Sequence, residues 1–374
     1  MIVSGAPTRI GISGTGFIAR GLASLLASDP ARWRLGPVLT RRNPTQVEGF
    51  SGLRITRDPE TMIAGSDIVV ECSGHVAEAR KVILAALAQN KPVLTMNTEF
   101  QVTLGAEFAA SGMVFEAQGD QPGSIVALAY ETSLMGFEPL VYGAQKGFLN
   151  HSPTRDDMQH WSLKQGISLH AVTAFTDGTK VQMEHALVAD ALGGGIARQG
   201  LLGPTACNLV EGAEIIAQES YLRGTPLSDY VLLPGGSGDV FILATHSAPP
   251  EELSYYKLGC GPHYLIVRPF HLGHFEIPIS LANMVSGRAP LLRASNPSRH
   301  SVAAIAKHDL PAGLHITRAV GSFVMRGEAL EKTAVPDHAP IGLIENACLR
   351  QPLSAGQMVM MDDLEFADSI AIGV

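Results

Sequence analysis

The run RIGISGTGFIARG, from Arg9 to Gly21, places a short apolar segment before a glycine-rich turn and an amphipathic segment directly after it. "RIGI" predicts a buried strand, and "FIARGLASLLA" has helical periodicity. The alternation continues downstream. "LGPVLT" and "DIVVECSG" predict strands, "VAEARKVILAALAQN" a helix, and "KPVLTMN" and "GMVFEA" two further strands. A βαβ series of this kind folds as a parallel sheet with helices on both faces. The expected class is α/β. A Rossmann doubly wound parallel sheet over residues 1–130 is followed by an α+β catalytic domain over 131–294 and a small all-β domain over 295–374.

Within that frame, Gly14-Thr15-Gly16-Phe17-Ile18-Ala19 fits G-x-G-x-x-A between a strand and a helix. Gly14 permits the tight turn, Gly16 lets a pyrophosphate approach the backbone, and Ala19 keeps helix and sheet close. The helix start at Phe17 and Ile18 offers free N–H groups and the positive end of the dipole. The same glycines would also suit a bare strand-to-helix turn. No Asp or Glu lies between Asp29 and Glu48, and the second strand ends in Thr40-Arg41-Arg42. A ribose 2′-OH usually meets an acid there, whereas two guanidiniums and a hydroxyl suit a 2′-phosphate, so NADP(H) is the expected cofactor. Cys72, Ser73 and Gly74 end one later strand and Asn97 the next, where ligands of such sheets sit.

The chain has 374 residues and a net charge of −8, with no cluster of Lys and Arg, which argues against a nucleic-acid or anionic-membrane partner. Its four cysteines are scattered without a C-x-x-C pair, so neither a disulfide framework nor a zinc knuckle is expected. The N-terminal residues lack the pattern of a signal peptide, and no apolar run reaches membrane-spanning length. A cytoplasmic enzyme acting on a small molecule is expected, assembled as a homo-oligomer.

In the middle of the chain, "EPLVYGAQKGF" and "SLHAVTAF" read as strands of a different sheet, separated by the polar "NHSPTRDDMQHW". The segment "TDGTKVQMEHALVADALGGG" predicts a helix capped by Thr176 or Asp177 and ended by Gly193–Gly195. At roughly 100° per residue, Lys180 and Glu184 fall inside the apolar arc, while Thr179, Gln182 and Asp190 lie opposite. A charged pair in a buried stripe is costly unless it is paired or faces a wet cavity. It therefore serves either as a structural ion pair or as catalytic groups. Lys146 ends a predicted strand and could bind an anion, and "VRPFHLGHFEIP" offers Arg268 for an anionic group. His271 in the same segment could act as acid or base, and with His274 it forms only a weak metal-ligand spacing.

After "SGRAPLLRASNPSRH", "SVAAIAKHDLPAGLHI" and "APIGLIENACLRQPLSAGQMV" read as short strands joined by Pro and Gly turns. "AKHDLPAG" and "LRQPLSAGQMVMMDDL" resemble an SAF (β-clip) domain. "GDQPGS", "DGTKVQMEHALVAD" and "GPHYLIVRPFHLGHFEIP" resemble the DXR-like branch of homoserine-dehydrogenase-like NAD(P) oxidoreductases. The resemblance implies an NADP-dependent oxidoreductase passing hydride to or from a small polar keto or hydroxy compound held between the domains. The substrate could be phosphorylated, the step coupled to a reductoisomerase-type 1,2-rearrangement, and a divalent cation (Mg or Mn) could assist. It makes Lys180, Glu184 and His271 the candidate catalytic residues, and Lys146, Arg268, Asp120 and Asp177 the candidate substrate ligands. Homoserine dehydrogenases carry Asn-Lys where this chain has Asn97-Thr98, which points away from homoserine. Two alternatives stand beside this reading: a simple alcohol or aldehyde oxidoreductase without isomerisation, and a non-catalytic NADP-binding sensor or SAF-mediated binding protein.

Overall fold

The computed structural model describes residues 6–366. The chain begins with β1 (Thr8–Ser13), α1 (Phe17–Ala27), β2 (Trp33–Leu39), β3 (Ile55–Thr56), α2 (Pro59–Ala64) and β4 (Ile68–Glu71). It continues through α3 (Val76–Ala88), β5 (Val93–Thr95), α4 (Thr98–Phe108), β6 (Val114–Glu116) and α5 (Gln121–Leu134). The six strands form one parallel sheet in the order β3-β2-β1-β4-β5-β6, with the order reversing between β1 and β4. This is the doubly wound dinucleotide-binding order, and ligands of such sheets sit beyond the strands' carboxyl ends at the reversal. Ile10, Ile12, Val38, Val70 and Leu94 are buried in the sheet, against Ala19, Leu22 and Leu26 of α1.

There follow β7 (Glu138–Lys146), α6 (Arg155–Gln165), α7 (Leu169–Thr176), α8 (Thr179–Ala191), α9 (Leu209–Arg223), β8 (Leu227–Leu232), β9 (Val240–Thr245), α10 (Pro250–Tyr255) and β10 (Tyr264–Arg268). The second sheet has the order β10-β9-β7-β8, with β7 and β8 parallel and β9 antiparallel to its neighbours. Ala213, Ile216 and Ala217 of α9 pack on Val141, Leu227, Val231 and Phe241 of this sheet.

One expectation is corrected in this stretch. "SLHAVTAF" is helix α7, not a strand: Ser168 accepts the Ala171 N–H as its N-cap, and a helical turn buries Val172, Thr173 and Ala174 together. Its β-branched and aromatic residues mimic strand propensity, which context readily overrides. The polar segment before it is helix α6, capped by Thr154 through the Asp157 N–H.

Helix α11 (Ile277–Val285) comes next, and then β11 (His300–Ala306), β12 (His315–Ile316), β13 (Met325–Glu331), β14 (Ala347–Leu349) and β15 (Leu364–Phe366). β11 pairs with β13, and β12-β14-β15 form a three-stranded antiparallel sheet. The chain divides into two compact units, each assembled from two stretches. The first is the chain up to Ala127 with His271–Pro297; the second is Leu128–Phe270 with the chain from Ser298 onward. The segment carrying His271, His274 and α11 thus belongs with the parallel sheet, and the C-terminal strands share a unit with the middle of the chain.

Candidate active site

In the first unit, β1 delivers the chain into the glycine turn. Gly14 has φ +111°, and a Cβ there would lie 2.7 Å from the Cys72 carbonyl oxygen, so the turn can pass β4 only with glycine. At Gly16 nothing lies within 4 Å of where a Cβ would be. Gly16 is the N-cap of α1 and brings no side chain to the helix start, which has no acidic residue in its first turn. The first N–H groups of α1 thus have no side-chain cap, the arrangement that receives a phosphate. A Cβ on Gly21 would collide with the ring of His274, so this glycine lets the helix seat the imidazole. His274 also meets Phe17 edge-on at 5.7 Å, and burial pushes it below the ordinary imidazole range. It packs against α1 through Gly21 and Phe17.

Thr40 is buried at the end of β2, with its hydroxyl 3.2 Å from that of Thr15 and accepting the Arg42 N–H. The Arg42 guanidinium turns back over the glycine turn and donates to the Thr15 carbonyl and hydroxyl oxygens, each at 2.7 Å. Arg41 is exposed. Both cationic groups follow β2 directly, and no Asp or Glu stands between Asp29 and Glu48.

At the ends of the next strands Asp120, a candidate substrate ligand of the sequence, is joined by Glu71, Glu116 and Glu276, which the sequence reading did not single out. Glu71, fully enclosed at the end of β4, accepts the Ser73 N–H at 2.7 Å and the Thr95 hydroxyl at 3.4 Å. Burial raises its pKa against these hydrogen bonds, and it also pushes the Cys72 thiol well up, aided by Glu71 and Glu116. Asn97 caps α4 by accepting the Phe100 N–H at 3.1 Å. Thr98 beside it lies 3.1 Å from both Glu116 and Asp120. Glu276 is buried beneath Leu272, whose N–H it accepts at 2.6 Å, with Ser124 at 3.5 Å. Their signal was a Glu at the last position of β4 and of β6, where an apolar run should have continued.

In the second unit, α8 is enclosed from Thr179 through Ala189. Lys180 is 6% exposed and Glu184 1%, so the pair expected inside the apolar arc is indeed buried. Lys146, at the end of β7, reaches Glu184 at 3.5 Å. His185, next on the helix, is fully buried, with Nδ1 2.8 Å from the Ser228 hydroxyl and no partner for Nε2. Burial, with the Lys146 charge nearby, holds it down to about 3, so it is neutral. Lys146, Lys180, Glu184 and neutral His185 thus share one helix-and-strand corner.

The face expected opposite that pair is also buried. Thr179 Oγ1 accepts the Gly327 N–H and Gln182 Oε1 the Ala329 N–H, each at 2.8 Å, so the helix satisfies β13. Asp190 accepts from His300 Nδ1 at 2.7 Å. Asp177 accepts the Thr179 N–H and pairs with Lys307 Nζ at 2.8 Å, with neither side chain more than 2% exposed. Burial raises the Asp177 carboxyl while Lys307 pulls it back down. Enclosed and paired, Asp177 ties α8 to β11 rather than facing a cavity. Arg268 ends edge strand β10 with its guanidinium 5.0 Å from the Phe270 ring. It belongs to the second unit, whereas His271 and Asp120 belong to the first.

Among the described residues, no group of three or more His, Cys, Asp or Glu side chains is disposed to hold a metal ion. Nor is any described helix long and apolar enough to cross a membrane.

Comparison with known proteins agrees with this geometry. Residues 14–111 match the family model described as the homoserine dehydrogenase NAD-binding domain, and residues 119–277 that of the oxidoreductase DRL catalytic domain. The chain is accordingly an oxidoreductase of the dehydrogenase type with a nicotinamide-dinucleotide-binding domain. No curated protein matches it significantly. Among solved structures, a homoserine dehydrogenase from Thiobacillus denitrificans is 13% identical over 95% of this chain and 98% of its own, with a TM-score of 0.49. A probable dehydrogenase from Thermotoga maritima is 15% identical over 76% of this chain and 91% of its own, with a TM-score of 0.46. A UDP-N-acetylglucosamine 3-dehydrogenase from Acidithiobacillus ferrooxidans is 13% identical over 77% and 92%, with a TM-score of 0.44.

Proposed function

We propose that the chain is an NADP(H)-dependent oxidoreductase of a small, polar keto or hydroxy substrate carrying an anionic group. The observation that carries this reading is the pairing of an uncapped α1 start at Gly16 with a β2 end of Thr40-Arg41-Arg42 and no acid. The pyrophosphate would take the N–H groups of Phe17 and Ile18, and the 2′-phosphate the Thr40 hydroxyl and the two guanidiniums. When bound, the nicotinamide supplies or accepts hydride. Lys180 polarises the substrate carbonyl and holds the proton that passes to or from its oxygen. Glu184, within reach of Lys146, orients the ammonium groups, and Lys146 and Arg268 hold the anion. His185 remains neutral and braces Glu184's turn from Ser228.

The proposed step is the hydride transfer itself, which Lys180, Glu184 and Lys146 assist. The C-terminal strands serve in this reading as an SAF-like buttress for α8, and the assembly is a homo-oligomer without nucleic-acid or membrane partners. Calorimetric titration with NADPH and NADH at fixed salt tests the cofactor. Arg41→Ala with Arg42→Ala should weaken NADPH by tenfold or more, on the order of 1.4 kcal/mol, and leave NADH nearly unchanged. Equal losses for both cofactors would defeat the assignment. Lys180→Ala should abolish turnover of small ketones or ketose phosphates while NADPH affinity stays intact.

A further inference from the structure

A second cationic site lies at the other edge of the parallel sheet. The starts of β1 and β2 and the residues leading into β3 enclose a cavity of about 320 Å³, lined by Arg9, Arg34, Arg54, Leu35, Pro37 and Leu53. In a parallel sheet all strand starts share one edge, so this cavity is remote from the glycine turn that follows β1. Three arginines line it, in a chain whose net charge is −8.

Their pairing leaves charge to spare. Arg9 is fixed by Asp67, through Nη2 at 2.7 Å and Nε at 3.2 Å, and its own N–H donates to the same carboxylate at 2.9 Å. The side chains of Arg34 and Arg54 are exposed and make no hydrogen bond or ion pair among the described residues. Asp58, the acid facing Arg54, spends its carboxylate on the Glu60 and Thr61 N–H groups and the Thr61 hydroxyl at the start of α2. Two carboxylates, Asp67 on Arg9 and the capping Asp58 near Arg54, therefore stand against three guanidiniums, leaving one positive charge in excess. The wall between them is apolar, with Leu35, Leu53 and Pro37, and Gly52 leaves open space where a side chain would stand. A guanidinium rim over an apolar wall matches a compact phosphate dianion, free or as the ester of a small organic molecule.

We infer that this cavity binds a small phosphate, independently of the dinucleotide. The test is calorimetric titration with orthophosphate and, separately, glycerol 3-phosphate, at constant ionic strength set with chloride. It is run on the natural sequence, on Arg34→Ala/Arg54→Ala and on Arg41→Ala/Arg42→Ala. The expected result is a binding event weakened about tenfold or more in Arg34→Ala/Arg54→Ala and retained in Arg41→Ala/Arg42→Ala. Tighter binding of the ester than of orthophosphate would assign the apolar wall to an organic ligand, and the reverse would assign the site to the free ion. Unchanged binding in Arg34→Ala/Arg54→Ala, or loss only in Arg41→Ala/Arg42→Ala, would overturn the inference. Both replaced side chains are exposed, so the phosphate-free melting temperature should stay within about 1 °C and serves as the folding control.

Discussion

Gly14 and Gly16 stand two positions apart and do different work. Gly14 has positive φ and touches the Cys72 backbone, so Gly14→Ala should destabilise the fold by roughly 2 kcal/mol or more. Gly16 has an ordinary φ of −83° and open space around it. Gly16→Ala should therefore keep stability within about 0.5 kcal/mol while blocking pyrophosphate approach and lowering NADPH affinity. Thermal unfolding and calorimetry on the two variants separate these effects, and a comparable loss of stability in both would refute the distinction. His185 has a signature in acid. It is neutral in the native state down to about 3, against an ordinary imidazole value of 6.5. The unfolded chain thus binds a proton the native chain refuses, and the stability this group contributes above about pH 6.5 is lost as pH falls toward 3. Asp229 has the opposite sign. Burial raises it to about 6 from 3.8, so its contribution is complete below about pH 4 and is lost as pH rises through 6. The His185→Gln variant should show a slope of stability against pH shallower by up to about 1.4 kcal/mol per unit between 3 and 6.5. Urea unfolding across that range reads it, and an unchanged slope would mean His185 titrates normally.

Helix α8 shows how an element can be read correctly on one face and incompletely on the other. The period of its apolar residues marked Lys180 and Glu184 as internal, and they are. A polar helix face such as that of Thr179, Gln182 and Asp190 ordinarily meets solvent. They are instead hydrogen-bonded to β13 and β11, which lie more than a hundred residues later in the chain. Gln182→Met should leave the Ala329 N–H and the Gly200 carbonyl without their partner, at a cost of about 2 kcal/mol by urea unfolding. Lys307→Met should cost more, roughly 3–5 kcal/mol, because it strands the Asp177 carboxylate. Adding Asp177→Asn should recover part of that loss. A double variant no better than the single one would argue against the buried pair. Helix α7 teaches the complementary lesson: Val172, Thr173 and Phe175 favour a strand locally, but the Ser168 cap and burial against neighbours decide for a helix.

At the scale of the molecule, the second unit is discontinuous. Its α8 depends on strands that follow the excursion of His271–Pro297 into the first unit. A chain ending at Pro297 should therefore lose more than its C-terminal sheets. Hydrogen exchange in α8 should become fast, since Thr179, Gln182, Asp177 and Asp190 would all lose their partners. Retained protection of α8 in that truncated chain would show instead that the C-terminal strands form a self-standing module.

The sequence by itself determined the parallel sheet, the glycine turn, the cationic end of β2 and the burial of Lys180 with Glu184. Each of these is encoded within a few residues, by period, by turn chemistry or by the residue next in line. Tertiary structure alone decided where polar side chains find their partners. It made Asp177 a structural ion pair, turned α8's polar face inward, joined His271 to the first unit, and gathered Arg9, Arg34 and Arg54 around one cavity. The physical reason is the same in each case. A buried polar group is tolerable only with a partner, and those partners come from strands distant in sequence, a distance that no local pattern records.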